Sequence, residues 1–173
     1  ERNPCPEGLE PADRFWRAWN TVAHHEILLL GGLAFVPVAV AHAENTIGFF
    51  TFLLLYVARI SAKLNLFFGV PRINLEFVPQ PLAHIKSYFR RGPITAAFPV
   101  GVTFLSISAA FFAERLLAAP GAATQAGFAL LTALAALAAI EHWLMVVPLP
   151  DAKLWRWMLP APSTARQDQH NEL

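Results

Sequence analysis

Two dipeptides set an imidazole beside a carboxylate, His25-Glu26 (with His24 just before) and Glu141-His142, and a third segment carries Arg59, Lys63 and Asn65. All of them fall within or at the ends of long apolar runs. A charged group at membrane depth costs about 2.5–3.5 kcal/mol even on the gentlest scale, so such groups persist where they pair or face water. Arg59 and Lys63 are four apart and share a helix face, so one neighbouring helix can meet both. Two carboxylates, Glu26 and Glu141, would neutralise the two cations. The expected intramembrane charge network is therefore Glu26, Arg59, Lys63, Asn65 and Glu141.

Three kinds of chemistry are open to such a cluster. It can be structural, a buried ion-pair network that fixes the register of helices. It can line a ligand pocket, since intramembrane ionisable groups are functional candidates by default. It can also hold a metal, although neighbours on a helix point about 100° apart, so each His/Glu dipeptide offers one inward ligand. The Glu-x-x-His spacing of di-iron bundles is absent from both segments, and six histidines are too few for a membrane histidine-box oxygenase. A single axial ligand to a magnesium or iron tetrapyrrole needs less, and His24, His25 and His142 are the candidates. The commoner role of a lone membrane histidine is a hydrogen-bonded packing residue.

The elements that must position these residues follow from composition. With 55% hydrophobic residues, 14% charged residues and 14 prolines in 173 positions, the chain is unlike a soluble domain. Four runs are long enough to cross a bilayer, about 22–41, 46–70, 94–113 and 126–147. The expected fold is all-α: a polytopic membrane protein, a bundle of four transmembrane helices with cytoplasmic interfacial helices, in one domain over residues 1–160. Of the Lys and Arg residues, only Arg115 falls between the third and fourth runs; all the others flank the opposite ends, Arg59 and Lys63 lying just inside. The positive-inside rule then puts both chain ends and the long loop after the second run in the cytoplasm. Trp16, Trp19, Trp143, Trp155 and Trp157 cluster at that same boundary.

At about 1.5 Å per residue, Glu26, Arg59, Lys63, Glu141 and the three histidines are expected at one depth. In the long loop, Leu82, Ile85 and Phe89 form an apolar stripe that predicts a short interfacial helix over about 81–91. That segment either rests on anionic lipid or forms a lid over the cluster, with Glu76, His84 and Tyr88 as lid residues. Asp151 is expected to cap a last interfacial turn carrying Leu154, Trp155 and Met158, ahead of a disordered polar tail, 161–173.

One cysteine, Cys5, excludes an internal disulfide framework. The chain opens on Glu1 without an initiator Met or signal-peptide pattern, which reads as a fragment of a longer protein. No phosphate loop, nucleophile elbow or nucleic-acid module is present, so no nucleic-acid partner is expected and the basic residues report topology.

Several segments together resemble a known family. They are Ala58-Arg59-Ile60-Ser61-Ala62-Lys63-Leu64-Asn65-Leu66-Phe67-Phe68-Gly69-Val70, Asn74-Leu75-Glu76-Phe77, Ser87-Tyr88-Phe89-Arg90-Arg91, and Glu141-His142-Trp143 with Pro148-Leu149-Pro150-Asp151. In this order, with His24-His25-Glu26 and Pro4-Cys5-Pro6, they resemble the C-terminal region of the PuhE-type family of photosynthetic-complex assembly proteins. The resemblance implies a bacterial inner (intracytoplasmic) membrane and a role in building the reaction centre and light-harvesting complex. Photosynthetic subunits or pigment would be the partners besides the lipid bilayer, and bacteriochlorophyll or a related tetrapyrrole the cofactor. It implies further membrane helices ahead of the matched region, so that the chain is a fragment lacking N-terminal helices, and it supplies no catalytic residue. The alternative is a membrane enzyme of tetrapyrrole or isoprenoid modification that uses a Glu/His site; an ion-coupled transporter is weakened by the position of the charges at one end of the spans.

Overall fold

A computed structural model describes residues 4–6, 8–42 and 45–148. Four long helices carry the fold: α1 (Pro11–Ala39), α2 (Ile47–Phe68), α3 (Ala97–Ala118) and α4 (Ala122–Leu144). All four are long and apolar enough to cross a membrane, and among the described residues there is no strand. The chain is a multi-pass membrane protein in architecture. The expected terminal turn after Asp151 and the 161–173 tail lie outside the described residues.

The helices differ from the apolar runs at their ends. α1 begins at Pro11, a residue suited to a first turn because its missing N–H has no partner there in any case. α3 continues to Ala118, so Glu114 and Arg115 are on helix, and only 119–121 turn the chain into α4. Hydropathy marks where side chains become polar, whereas a helix runs on until its backbone is broken, here by Pro120-Gly121.

The main pairing is α3 on α4, and α2 packs across both. On α4 the buried positions Leu131, Ala135, Ala138 and His142 recur every three or four residues, one continuous stripe. It meets Leu105 and Phe112 of α3 and Leu54 and Ala58 of α2 in the apolar core. Small residues permit the approach, as is usual between membrane helices. A Cβ on Gly101 would collide with the Ser61 hydroxyl, and one on Gly127 would sit 2.7 Å from Ile47. The outward faces carry exposed Leu28, Val38, Val100 and Leu117, as a lipid-facing surface requires.

α1 stands apart, touching mainly α2. Gly32 accommodates the Phe52 ring, Phe15 packs edge-on against Phe67, and a polar link is made at Glu26.

The loop 69–96 is fastened to the helix ends. Gly69 leaves α2 at φ 137°, a conformation open mainly to glycine. Val70 then donates to Arg90 O (3.2 Å), Gly92 to Val70 O (3.0 Å) and Arg90 to Leu66 O (2.8 Å). Arg72 reaches the end of α4, bonding Met145 O through its backbone and Val147 O through its guanidinium. Cys5 N–H donates to Ser87 Oγ. The start of the chain, this loop and the end of α4 thus gather at one end of the bundle.

Within the loop, the expected helix over 81–91 is a 3-10 helix, Gln80–Tyr88, followed by extended Phe89. At three residues per turn, 82, 85 and 88 align. The stripe is therefore Leu82, Ile85 and Tyr88, with Tyr88 buried, rather than one ending on Phe89.

Candidate functional site

The charge cluster forms between α1 and α2. Glu26 is 1% exposed, the one buried residue of α1. Its Oε1 accepts from Lys63 Nζ and, at 3.3 Å, from Arg59 Nη2. The i, i+4 spacing on α2 presents both cations to one carboxylate. Arg59 Nη2 also approaches His25 Nδ1 at 3.1 Å; a guanidinium only donates, so that nitrogen accepts. Glu26 Oε2 is buried with no hydrogen-bond partner among the described residues. Two cations converge on one anion, and the cluster carries one positive charge in excess.

Glu141 is not part of it. Its side chain is exposed, and among the described residues it has no ion pair with Arg59 or Lys63. The reason is helical phase: His142 takes the buried stripe of α4, which turns its neighbour by about 100° toward the outside. Equal depth did not mean equal face.

Asn65 is fully buried, but it belongs to a second polar site. Its Nδ2 donates to Ser61 O at 2.9 Å, one turn back on α2. Ser61 Oγ lies 2.9 Å from His142 Nε2, and His142 Nδ1 lies 2.8 Å from Ala138 O. A carbonyl only accepts, so Nδ1 carries the proton of that bond and the Ser61 hydroxyl occupies Nε2. Both ring nitrogens are engaged, and the ring is 1% exposed. Ser61 sits in the notch left by Gly101, so this Ser–His contact is an interhelical clasp. Ser61 and Gly101 went unnoticed as site residues; the available signal was a glycine amid bulky residues in a membrane helix.

His24 is exposed on α1, and His25 has its Nδ1 against Arg59. Among the described residues no three His, Cys, Asp or Glu side chains converge as a metal cluster would require.

Above the charge cluster lies a groove of about 610 Å³, within the range of small-molecule sites. Phe15, Trp19 and Phe67 line it toward the start of α1 and the end of α2, Glu26, Arg59 and Lys63 line it further along those helices, and Ile85, Tyr88 and Phe89 of the loop complete its lining. Phe15 meets Phe67 edge-on with ring centroids 5.8 Å apart, and the Arg14 guanidinium lies 4.4 Å from the Phe67 centroid. Arg14 also donates to Tyr88 O, tying α1 to the loop. Of the three expected lid residues, Tyr88 lines the groove, His84 is half-buried beside it, and Glu76 is exposed.

Comparison with known proteins adds relatives to this geometry. A family model described as "Protein of unknown function (DUF3623)" matches residues 1–166. A Rhodobacter capsulatus protein described as "Uncharacterized 30.4 kDa protein in puhA 5'region" is 48% identical over 160 residues, which is 92% of this chain and 58% of that protein. The chain thus spans less than two thirds of that relative's length. No solved structure matches.

Proposed function

The chain belongs to the DUF3623 family, and we propose that it is an integral-membrane assembly factor for the bacterial photosynthetic reaction centre and light-harvesting complex. Two lines of support converge. The chain resembles the PuhE-type assembly family through its charged α2 segment and its loop, and the Rhodobacter capsulatus relative is described by its place in the puhA 5' region. The observation that carries a pigment-handling role is the aromatic groove beside Glu26, Arg59 and Lys63. Phe15, Trp19 and Phe67 give the groove an apolar aromatic lining that suits a large apolar ligand.

In this reading the groove holds a tetrapyrrole by apolar contact rather than by His25 or His142. His142 has both ring nitrogens engaged and His25 has its Nδ1 on Arg59. When bound, bacteriochlorophyll or a related tetrapyrrole would supply light absorption; the protein shelters it from water at the membrane boundary. The groove end of the bundle faces the cytoplasm of the bacterial inner membrane, as the basic residues Arg14, Arg17, Arg72, Lys86, Arg90 and Arg91 around it favour. A membrane enzyme built on Glu141 and His142 fits less well, because one is exposed and the other is sealed in the bundle.

Purification from a bacteriochlorophyll-making host tests the proposal. Tetrapyrrole absorbance with the protein, or co-purification of a reaction-centre or light-harvesting subunit, is the expected result. Colourless protein that brings down neither would overturn it.

A further inference from the structure

We infer that the groove between α1, α2 and the loop is a binding site for a bulky apolar acid that enters acid-first, with its anion on Arg59 and Lys63. The inference goes beyond the assembly role and stands without it.

Charge comes first. Arg59 and Lys63 share the single carboxylate of Glu26, and their side chains remain 41% and 34% exposed. Arg14 adds a third cation at the other end of the groove. Glu26 is the one anion among the residues that line it. An anion reaching the inner end would find two donors already held in place, and a charge-assisted bond to either is among the stronger contacts a protein makes.

Polarity decides which kind of acid. α1 has 29 residues, about 43 Å at 1.5 Å per residue, against a hydrocarbon core of about 30 Å. Its surplus lies at the N-terminal end, where Asp13, Arg14, Arg17 and Asn20 make it polar. Phe15 and Trp19 therefore stand at or above the membrane boundary, and Glu26 lies below them. A leaflet phospholipid has its charge outermost and its apolar part innermost. The groove has the opposite order: aromatic residues at the boundary, with Ile85, Tyr88 and Phe89 of the loop in its lining, and Glu26, Arg59 and Lys63 deeper along α1 and α2. Its occupant is an apolar body with one inward-pointing acid, received from the aqueous side rather than from the leaflet.

1-Pyrenebutyric acid and its methyl ester are suitable probes, added to the full chain in phosphatidylcholine nanodiscs and followed by pyrene fluorescence. The acid should bind roughly tenfold tighter than the ester, the size of one charge-assisted hydrogen bond. Lys63→Met should weaken the acid several-fold toward the ester's affinity without changing the ester. Ala18→Trp, which fills the groove from an α1 position that the charge cluster does not use, should abolish binding of both. Replacing a third of the phosphatidylcholine by phosphatidylglycerol should leave acid binding unchanged. Equal affinities for acid and ester would overturn the inference, as would persistence of binding in Ala18→Trp. Competition by phosphatidylglycerol would also overturn it, since the groove would then be a leaflet-lipid site. None of these results depends on a photosynthetic partner, so the assembly proposal succeeds or fails separately.

Discussion

The Ser61 hydroxyl of α2 and Nε2 of His142 in α4 lie 2.9 Å apart, across a helix interface opened by the missing side chain of Gly101. Gly101→Ala puts a methyl group onto the Ser61 oxygen, an overpacking expected to cost about 1–3 kcal/mol. Ser61→Ala alone removes one membrane hydrogen bond, worth about 0.6–2 kcal/mol. The pair should be strongly non-additive, because with Ser61→Ala the new Cβ on Gly101 meets only the Ser61 Cβ position at 3.3 Å. Unfolding of both single variants and the double variant in detergent checks this; additive losses would remove the clasp from the account.

At the charge cluster, the effects of replacement should be asymmetric. Lys63→Met leaves Glu26 still paired with Arg59, and Lys63 is about one-third exposed, so a loss near 1 kcal/mol is expected. Glu26→Gln leaves two cations facing each other without an anion and should cost more, about 2–3 kcal/mol. Combining Glu26→Gln with Lys63→Met should recover part of that loss. A thermal series in which Lys63→Met is the worst of the three would contradict the geometry.

Glu141→Gln should be nearly silent, within about 0.5 kcal/mol, because the side chain is exposed and has no described ion pair. The same thermal series measures it. A loss comparable to that of Glu26→Gln would mean that Glu141 reaches the cluster after all.

Gly69→Ala forces a side chain into φ 137° where α2 ends, at a backbone cost of about 1–3 kcal/mol. The damage should be local. Amide exchange at Val70, Arg90 and Gly92 should rise well before that of α3 and α4, since those three amides close the two ends of the loop on each other and on Leu66 of α2. Uniform exchange across all helices would show that the loop is not a separate unit.

A cysteine placed at His84, in a Cys5→Ser background, should react with an impermeant maleimide only when the cytoplasmic face is accessible. A cysteine at Pro120, in the turn between α3 and α4, should react only from the other face. Reversed labelling would invert the proposed orientation.

The architecture was readable in the sequence because four apolar runs leave few alternatives, and Glu26 with Arg59 and Lys63 was readable because i, i+4 spacing fixes a face. Glu141 was not, since depth along a helix says nothing about azimuth until the buried stripe is known. Leu131, Ala135 and Ala138 define that stripe and carry no chemistry to advertise it. The 3-10 helix was missed for a related reason: Ile85 pairs with Phe89 on a four-residue period and with Tyr88 on a three-residue one, and the sequence fits both. Gly101 and Ser61 became meaningful only once two backbones were seen to touch.

The ion pair also bears on how the protein is made. Glu26 leads Arg59 by 33 residues and Lys63 by 37, and at about 5–20 residues per second a ribosome supplies those partners roughly 2–7 s later. During that interval α1 carries an uncompensated carboxylate and cannot be released cheaply into lipid. α1 and α2 should therefore leave the insertion machinery together as a hairpin, and a chain stopped before residue 59 should fail to hold α1 in the bilayer.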